Sequence, residues 1–156
     1  PIAGQSGFTL GQRFMTALLP NWSGRLDAYL VSMKDVPFEW GNNDCLSFTN
    51  GAHQAMTGFG YCDDLVGRAF TAMEAKREYL AEMKARKLFS GTELIDERLT
   101  RAFCIPKRGM IVATLAEKMA TGYALGVVID DALAAFIGYE GIETRPSGGG
   151  EFVWRV

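Results

Sequence analysis

The fold is decided by residues 40–58, which read WGNNDCLSFTNGAHQAMTG. Asp44 stands at a helix N-cap position, because its carboxylate can accept hydrogen bonds from the free N–H groups of a first helical turn. Gly58 stands at the other end, where glycine readily takes the left-handed conformation that closes a helix. The stretch therefore predicts a helix from Cys45 to Met56, with a cysteine in its first turn.

Apolar residues at helical spacing predict a helix before this stretch and another after it. Asn21 or Ser23 can cap the earlier helix. Its apolar face consists of Trp22, Leu26, Tyr29, Leu30 and Met33. Thr71 and Glu74 form a capping box for the later helix, which reaches about Leu88. On that later helix we expect three apolar side chains to face inward and an i,i+4 ion pair to face solvent. These residues are Met73, Leu80 and Met83 for the inner face, and Glu82 and Arg86 for the ion pair.

The pattern changes from helical to strand-like after Pro106. A short fourth helix over 93–100 precedes the change. The predicted strands are 110–113, 125–129, 133–137, 141–145 and 152–156. Asp130 and Asp131 form a tight hairpin turn between the second and third of them. The predicted helices precede the predicted antiparallel strands along the chain, and this order is typical of an α+β domain.

Composition and charge argue against several classes of function. The 156 residues include 16 Lys and Arg against 18 Asp and Glu, which gives a net charge of −2 and no electrostatic case for nucleic-acid binding. No apolar run approaches the roughly 18 residues of a membrane span, and the N-terminus does not resemble a secretory signal. The single histidine argues against a His-rich metal site, so we predict neither a metal nor a cofactor.

The three cysteines are widely spaced and odd in number, which argues against a disulfide framework. We expect Cys104 to lie in the core and Cys62 to lie at the surface. Cys45 is the chemical candidate, because the free N–H groups at a helix N-terminus favour a thiolate. The alternative is a small cysteine that fills core space.

A nucleophilic Cys45 would need a base, and His53 cannot serve. It lies eight residues along the same helix, roughly 12 Å away at about 1.5 Å per residue, whereas a base must lie within about 3 Å.

The chain divides into an N-terminal arm, residues 1–20, and a domain, residues 21–156. The arm begins polar and glycine-rich and then becomes apolar. Apolar residues outside a core usually dock onto a partner, so we expect the arm to bind one. Its apolar residues are Phe8, Leu10, Phe14, Met15, Leu18 and Leu19.

Several segments together suggest a family. They are PFEWGNNDCLSF (37–48), AMTG (55–58), RGMIV (108–112), ALGVV (124–128) and WRV (154–156). The first two resemble the signature of small NlpC/P60-like proteins from phages and prophages, and the other three resemble strands of that family. The resemblance spans about residues 21–156.

The resemblance implies a papain-like core, with N-terminal helices packed on a small antiparallel sheet. Cys45 then occupies the catalytic nucleophile position, and Trp40, Gly41 and Asp44 belong to the motif that shapes the groove. Ala124 stands where active members carry their histidine, and Met110 replaces an aspartate. We therefore interpret the chain as a degenerate member, a pseudoenzyme.

Relatives are commonly encoded among phage tail genes. The expected function is thus that of a structural protein in a phage or phage-like tail, at the tail tip or baseplate. Its expected partners are other tail proteins, and it would be made in the host cytoplasm and located in the virion.

Two alternatives remain open. The chain could be an active cysteine peptidase or amidase that cleaves peptidoglycan stem peptides with a substitute base such as Tyr123, Asp130 or Asp131. It could also bind bacterial cell-wall peptides or a tail-fibre peptide without cutting them.

Overall fold

The computed structural model of the protein describes residues 17–119, 121–149 and 152–156. The helices are α1 (Trp22–Met33), α2 (Cys45–Thr57), α3 (Ala72–Arg86) and α4 (Gly91–Asp96). The strands are β1 (Thr100–Ala102), β2 (Ile111–Leu115), β3 (Tyr123–Val128), β4 (Leu133–Gly138), β5 (Gly141–Pro146) and β6 (Phe152–Arg155). The predicted helix around Cys45 begins and ends within one residue of its expected bounds.

The strands in the described ranges form one six-stranded antiparallel sheet, in the order β1-β6-β2-β3-β4-β5. Strands β2 to β5 follow one another as neighbours, whereas β6 inserts between β1 and β2. The predicted α+β class is confirmed. The fourth helix ends at Asp96, short of the expected residue 100, and Thr100 begins the strand β1. This strand was not predicted, because three residues are too few to show an alternating pattern.

The main core lies between the sheet and helices α1 and α2. Leu26 of α1 and a stripe on α2, Phe48, Ala52 and Met56, are fully buried. They pack with sheet residues that alternate along the strands, as a pleated sheet requires. These sheet residues are Ile111, Ala113, Leu125, Val127, Ala135, Ile137 and Trp154.

Helix α3 is turned away from the predicted orientation, although Met83 is half-buried as expected. Met73 is 83% exposed and Leu80 is 52% exposed, although both were expected inside. Glu82 and Arg86, expected on the solvent side, form their ion pair at 2.9 Å on the half-buried side. Arg68, in the loop before α3, explains the orientation, because it lies 2.6 Å from the carboxylate of Glu82.

The expectations for two cysteines are also reversed. Cys62 is fully buried, and its backbone N–H donates to the side chain of Asn50 at 2.8 Å. Cys104 is exposed, between Phe103 and Ile105, which are also exposed. The prediction failed because the apolar residues around Cys104 follow the short strand β1 into an exposed connection.

Four residues of the predicted arm, Phe8, Leu10, Phe14 and Met15, lie outside the described residues. Leu18 is 41% exposed. The backbone N–H of Leu19 donates to the carbonyl of Met56 at 2.8 Å, so the chain reaches the domain at the end of α2.

No helix in the described ranges is both long enough and apolar enough to cross a bilayer.

A buried polar layer joins α2 to the loop that follows it. His53 is 1% exposed, and its Nδ1 lies 2.7 Å from the carbonyl oxygen of Phe59. Its Nε2 is buried and has no hydrogen-bond partner among the described residues. Burial lowers the pKa of His53, although the Phe59 carbonyl and the charge of Asp63 act in the opposite direction.

This lowered pKa predicts that acid destabilises the fold. Below about pH 6.5 an unfolded histidine binds a proton that the folded one does not, so unfolding takes up a proton. Stability should therefore fall as the pH drops below about 6.5, by at most about 1.4 kcal/mol per pH unit, until the lowered folded pKa is reached. Urea unfolding at several pH values between 7.5 and 5 measures this slope.

His53→Phe provides the control, because the chain has one histidine and this substitution removes it. The variant should lose the slope in that window. Equal slopes in the two proteins would contradict the assignment to His53.

Candidate functional site

The carboxylate of Asp44 fixes the start of α2. Its Oδ1 accepts hydrogen bonds from the backbone N–H (2.8 Å) and the hydroxyl (2.9 Å) of Ser47. Its Oδ2 accepts a bond from the backbone N–H of Gly41 at 3.0 Å. One side chain therefore caps α2 and closes the preceding loop, which sets the position of Cys45.

The loop before Asp44 is tightly constrained. Gly41 has φ = +80°, and a Cβ atom there would lie 2.6 Å from the carbonyl oxygen of Ala69. Any other residue would thus be both strained and in collision with backbone. The buried amide of Asn43 donates to the carbonyls of Val36 (3.1 Å) and Pro37 (2.9 Å). The Trp-Gly-…-Asp motif thus has a structural role that does not require catalysis.

Cys45 is half-buried at the wall of an open groove of about 530 Å³, which we call the Cys45 groove. Its aromatic lining consists of Phe38, Trp40, Phe70, Phe136 and Tyr139. Its charged lining consists of Glu39, Lys118, Glu143 and Arg145. The groove therefore combines an aromatic surface with charges of both signs.

Three residues singled out from the sequence meet in this groove. Trp40 packs edge-on against Phe38, with ring centroids 5.0 Å apart. Ala124, on β3, lines the same groove as Cys45. The next residue, Leu125, lines the same groove, and its backbone N–H lowers the pKa of the Cys45 thiol. The two sequence positions that the resemblance pairs, 45 and 124, thus face a common space.

Sequence reasoning missed the wall formed by the β4–β5 hairpin. Tyr139, at its turn, is 84% exposed. Glu143 and Arg145, on β5, form an ion pair at 3.3 Å. An aromatic residue between Gly138 and Gly141 in a tight turn was the available signal, since turn residues are usually small or polar.

Helix α3 limits access to Cys45 from another direction. A second cavity of about 110 Å³ reaches both Cys45 and the residues Ala75 and Tyr79 of α3. Arg68 holds α3 in place through Glu78 at 3.0 Å and Glu82 at 2.6 Å.

The environment of Cys45 opposes a thiolate. Burial raises the pKa of the thiol to about 11, and the negative charge of Asp44 adds to the increase. The hydrogen bond from Leu125 acts in the opposite direction but is outweighed. The expectation of a thiolate stabilised by the helix N-terminus is therefore wrong, because desolvation of the charge exceeds the effect of the helix end.

His53 does not approach Cys45. Its described contacts are with Thr57, Phe59 and Tyr61, which lie at the C-terminal end of α2 and in the loop that follows it.

The proposed substitute bases are also engaged elsewhere. The Oδ1 of Asp130 accepts bonds from the N–H groups of Ala132 and Leu133, both at 2.8 Å, and thus serves the β3–β4 turn. Asp131 lies in the same turn. Tyr123 packs edge-on against Phe152, with ring centroids 5.5 Å apart. None of these three residues lines the Cys45 groove.

Within the described ranges, no three His, Cys, Asp or Glu side chains come together in a way that could hold a metal ion.

A family model described as "Domain of unknown function (DUF6950)" matches residues 17–156 of the chain. No curated protein matches the sequence.

The Asp44 cap yields a stability prediction. Asp44→Ala removes an acceptor for two backbone N–H groups and should lower the free energy of unfolding by about 1–2 kcal/mol. Asp44→Asn should have an intermediate effect, because its carbonyl oxygen can still cap α2 through Ser47, whereas its amide nitrogen cannot accept the bond from the N–H of Gly41. Urea denaturation of the two variants tests this, and an Asp44→Ala protein as stable as wild type would refute it.

The raised thiol pKa yields a reactivity prediction. At pH 7.5 iodoacetamide should alkylate the exposed Cys104 quickly and Cys45 slowly, as read by peptide mass spectrometry. The Cys45 rate should rise about tenfold per pH unit as the pH approaches 11, because the thiolate is the reacting form. A Cys45 rate equal to that of Cys104 at pH 7.5 would show that the thiol is activated.

Proposed function

We propose that this chain, which belongs to the DUF6950 family, is a non-catalytic structural protein of a phage or phage-like tail, built on an NlpC/P60-like core. The main observation in support of lost catalysis is that the nucleophile position has no base beside it. Cys45 shares its groove with Ala124, while the chain's single histidine lies buried in another part of α2.

The placement of α2 supports a papain-like core. Its first residue is Cys45, and its buried stripe packs against an antiparallel sheet. Strand β3, the second strand of the β2–β5 meander, lies next to the thiol through Leu125. This is the arrangement expected of a cysteine hydrolase whose histidine position is filled by alanine.

The protonation state of Cys45 and the missing general base both support a loss of activity. With a pKa of about 11, roughly one Cys45 thiol in 10,000 is ionised at pH 7. General base catalysis would normally contribute a further rate factor of about 100 to 10,000. The groove supplies carboxylates from Glu39 and Glu143 but no imidazole.

The proposed setting is the tail tip or baseplate of a virion, with other tail proteins as partners. This part of the proposal rests on the resemblance in residues 37–58 and in the strand motifs. A scaffold role is compatible with a motif whose Gly41 and Asp44 serve the loop and the helix cap.

The enzymatic test uses purified peptidoglycan with wild type and with Cys45→Ala. We expect no release of amines or soluble fragments that depends on Cys45. Turnover that Cys45→Ala abolishes would overturn the proposal and establish the alternative, a hydrolase of stem peptides.

Ala124→His tests the geometry of the core. An imidazole at this position should lower the pKa of Cys45 and speed its alkylation at pH 7.5, because a histidinium favours the thiolate. Gln54→His is the matched control, since it adds a histidine at an exposed position of α2, the helix that begins at Cys45. Equal alkylation rates in the two variants would contradict a papain-like pairing of positions 45 and 124.

The location is tested on particles purified from cells that carry the gene. Quantitative mass spectrometry should find the chain in tail fractions at a fixed ratio to other tail proteins. Its confinement to the soluble lysate would overturn the structural role.

A further inference from the structure

The outward face of α3 combines exposed cations with exposed apolar side chains. Met73, Arg77, Leu80 and Lys84 follow one another at spacings of three or four residues and therefore share one side of the helix. Met73 is 83% exposed and Leu80 is 52% exposed. Arg77 and Lys84 are exposed, as is Lys76 beside them. We call these five residues the α3 face.

The acidic residues of this helix lie away from the α3 face, and Arg86 is the one cation of the helix that lies on their side. The three glutamates lie on the half-buried side, where Arg68 bonds Glu78 and Glu82. The third, Glu74, accepts the backbone N–H of Phe70 at 2.8 Å. The α3 face itself contains no acidic residue.

The cations of the face are free to meet a partner. None of the ion pairs among the described residues includes Lys76, Arg77 or Lys84. Lys87, at the C-cap of α3, is likewise exposed and takes part in none of them. The helix beneath is held by the Arg68 and Arg86 ion pairs, so the face is presented on an anchored element.

We propose that the α3 face is a docking surface for an acidic amphipathic helix of a partner protein. Met73 and Leu80 lie seven residues apart, which is the repeat by which two helices align an apolar seam. Arg77 and Lys84 alternate with these two residues along the same side of the helix, and Lys76 lies beside them. The three cations would pair with glutamates or aspartates that lie next to the partner's apolar residues. The positive charge of the α3 face thus favours a negatively charged partner, and the spacing of seven residues favours a helical one.

Other ligands fit this face less well. An interfacial membrane helix needs a broad apolar face, whereas here the apolar strip contains two large side chains. A nucleic-acid backbone would engage the cations but leave Met73 and Leu80 without contacts. A second copy of α3 would bring like charges together, which disfavours self-association through this face.

The test uses the full chain and a fluorescent synthetic peptide of about 18 residues, with leucines seven residues apart and glutamates on both flanks. Fluorescence anisotropy should detect binding of this ordered peptide at low ionic strength. A scrambled peptide of the same composition should bind with an affinity at least about fivefold lower. Arg77→Glu with Lys84→Glu should weaken binding of the ordered peptide by about tenfold or more. Leu80→Ser should weaken it while leaving the net charge unchanged.

The matched control is Lys34→Glu with Lys107→Glu, which makes the same charge change at two exposed positions outside α3. This control should bind the peptide within about twofold of wild type. Circular dichroism of each variant verifies that the fold is retained.

Three outcomes would overturn the proposal. One is equal binding of the ordered and scrambled peptides, and another is equal loss in the α3 variant and the control. The third is tighter binding to phosphatidylglycerol vesicles or to a DNA duplex than to the ordered peptide, abolished by the α3 substitutions.

Discussion

The carboxylate of Asp44 is the interaction on which the rest of the site depends. It binds the N–H of Gly41 on one side and that of Ser47 on the other, so the loop and the helix α2 are joined through one residue. The buried stripe of α2 then fixes the helix against the sheet, and the groove forms where the helix start meets β3 and the β4–β5 hairpin. The position of Cys45 is thus a consequence of capping and packing.

A helix N-terminus is often taken as sufficient to activate a cysteine, and this protein shows the limit of that argument. The stabilisation that the helix end offers an anion is modest and falls off within one turn. Removing the same anion from water costs more, and the nearby Asp44 carboxylate adds repulsion. The cap that best orders the helix therefore also carries the wrong charge for the thiol that follows it. In the absence of an imidazole, the nearby backbone N–H groups of Leu125, Cys45 and Leu46 offset this only in part.

Elements whose bounds depend on neighbouring residues, such as helix caps and apolar runs, were predicted correctly from the sequence. Asp44 and Gly58 bound α2, and the apolar runs after Pro106 predicted β2 to β5. The resemblance assigned Cys45, Trp40 and Ala124 to one site, and all three line the Cys45 groove. The sequence did not reveal the orientation of α3, because that depends on Arg68, which lies outside the helix and pairs with Glu78 and Glu82. The burial of Cys62 likewise depends on a contact outside its own segment, the bond to the side chain of Asn50 on α2.

The order of strands in the sheet constrains how the chain can fold as it is synthesised. Strand β1 pairs with β6 alone, and Thr100 lies opposite Arg155, some fifty residues later. The β2–β5 meander can form from neighbouring segments, but β1 has no strand to join until β6 has emerged. During that interval the edge of β2 that β6 will occupy is open, and the indole of Trp154 is absent from the core it will complete. A nascent chain paused between these two strands would therefore expose a sheet edge that a molecular chaperone could recognise.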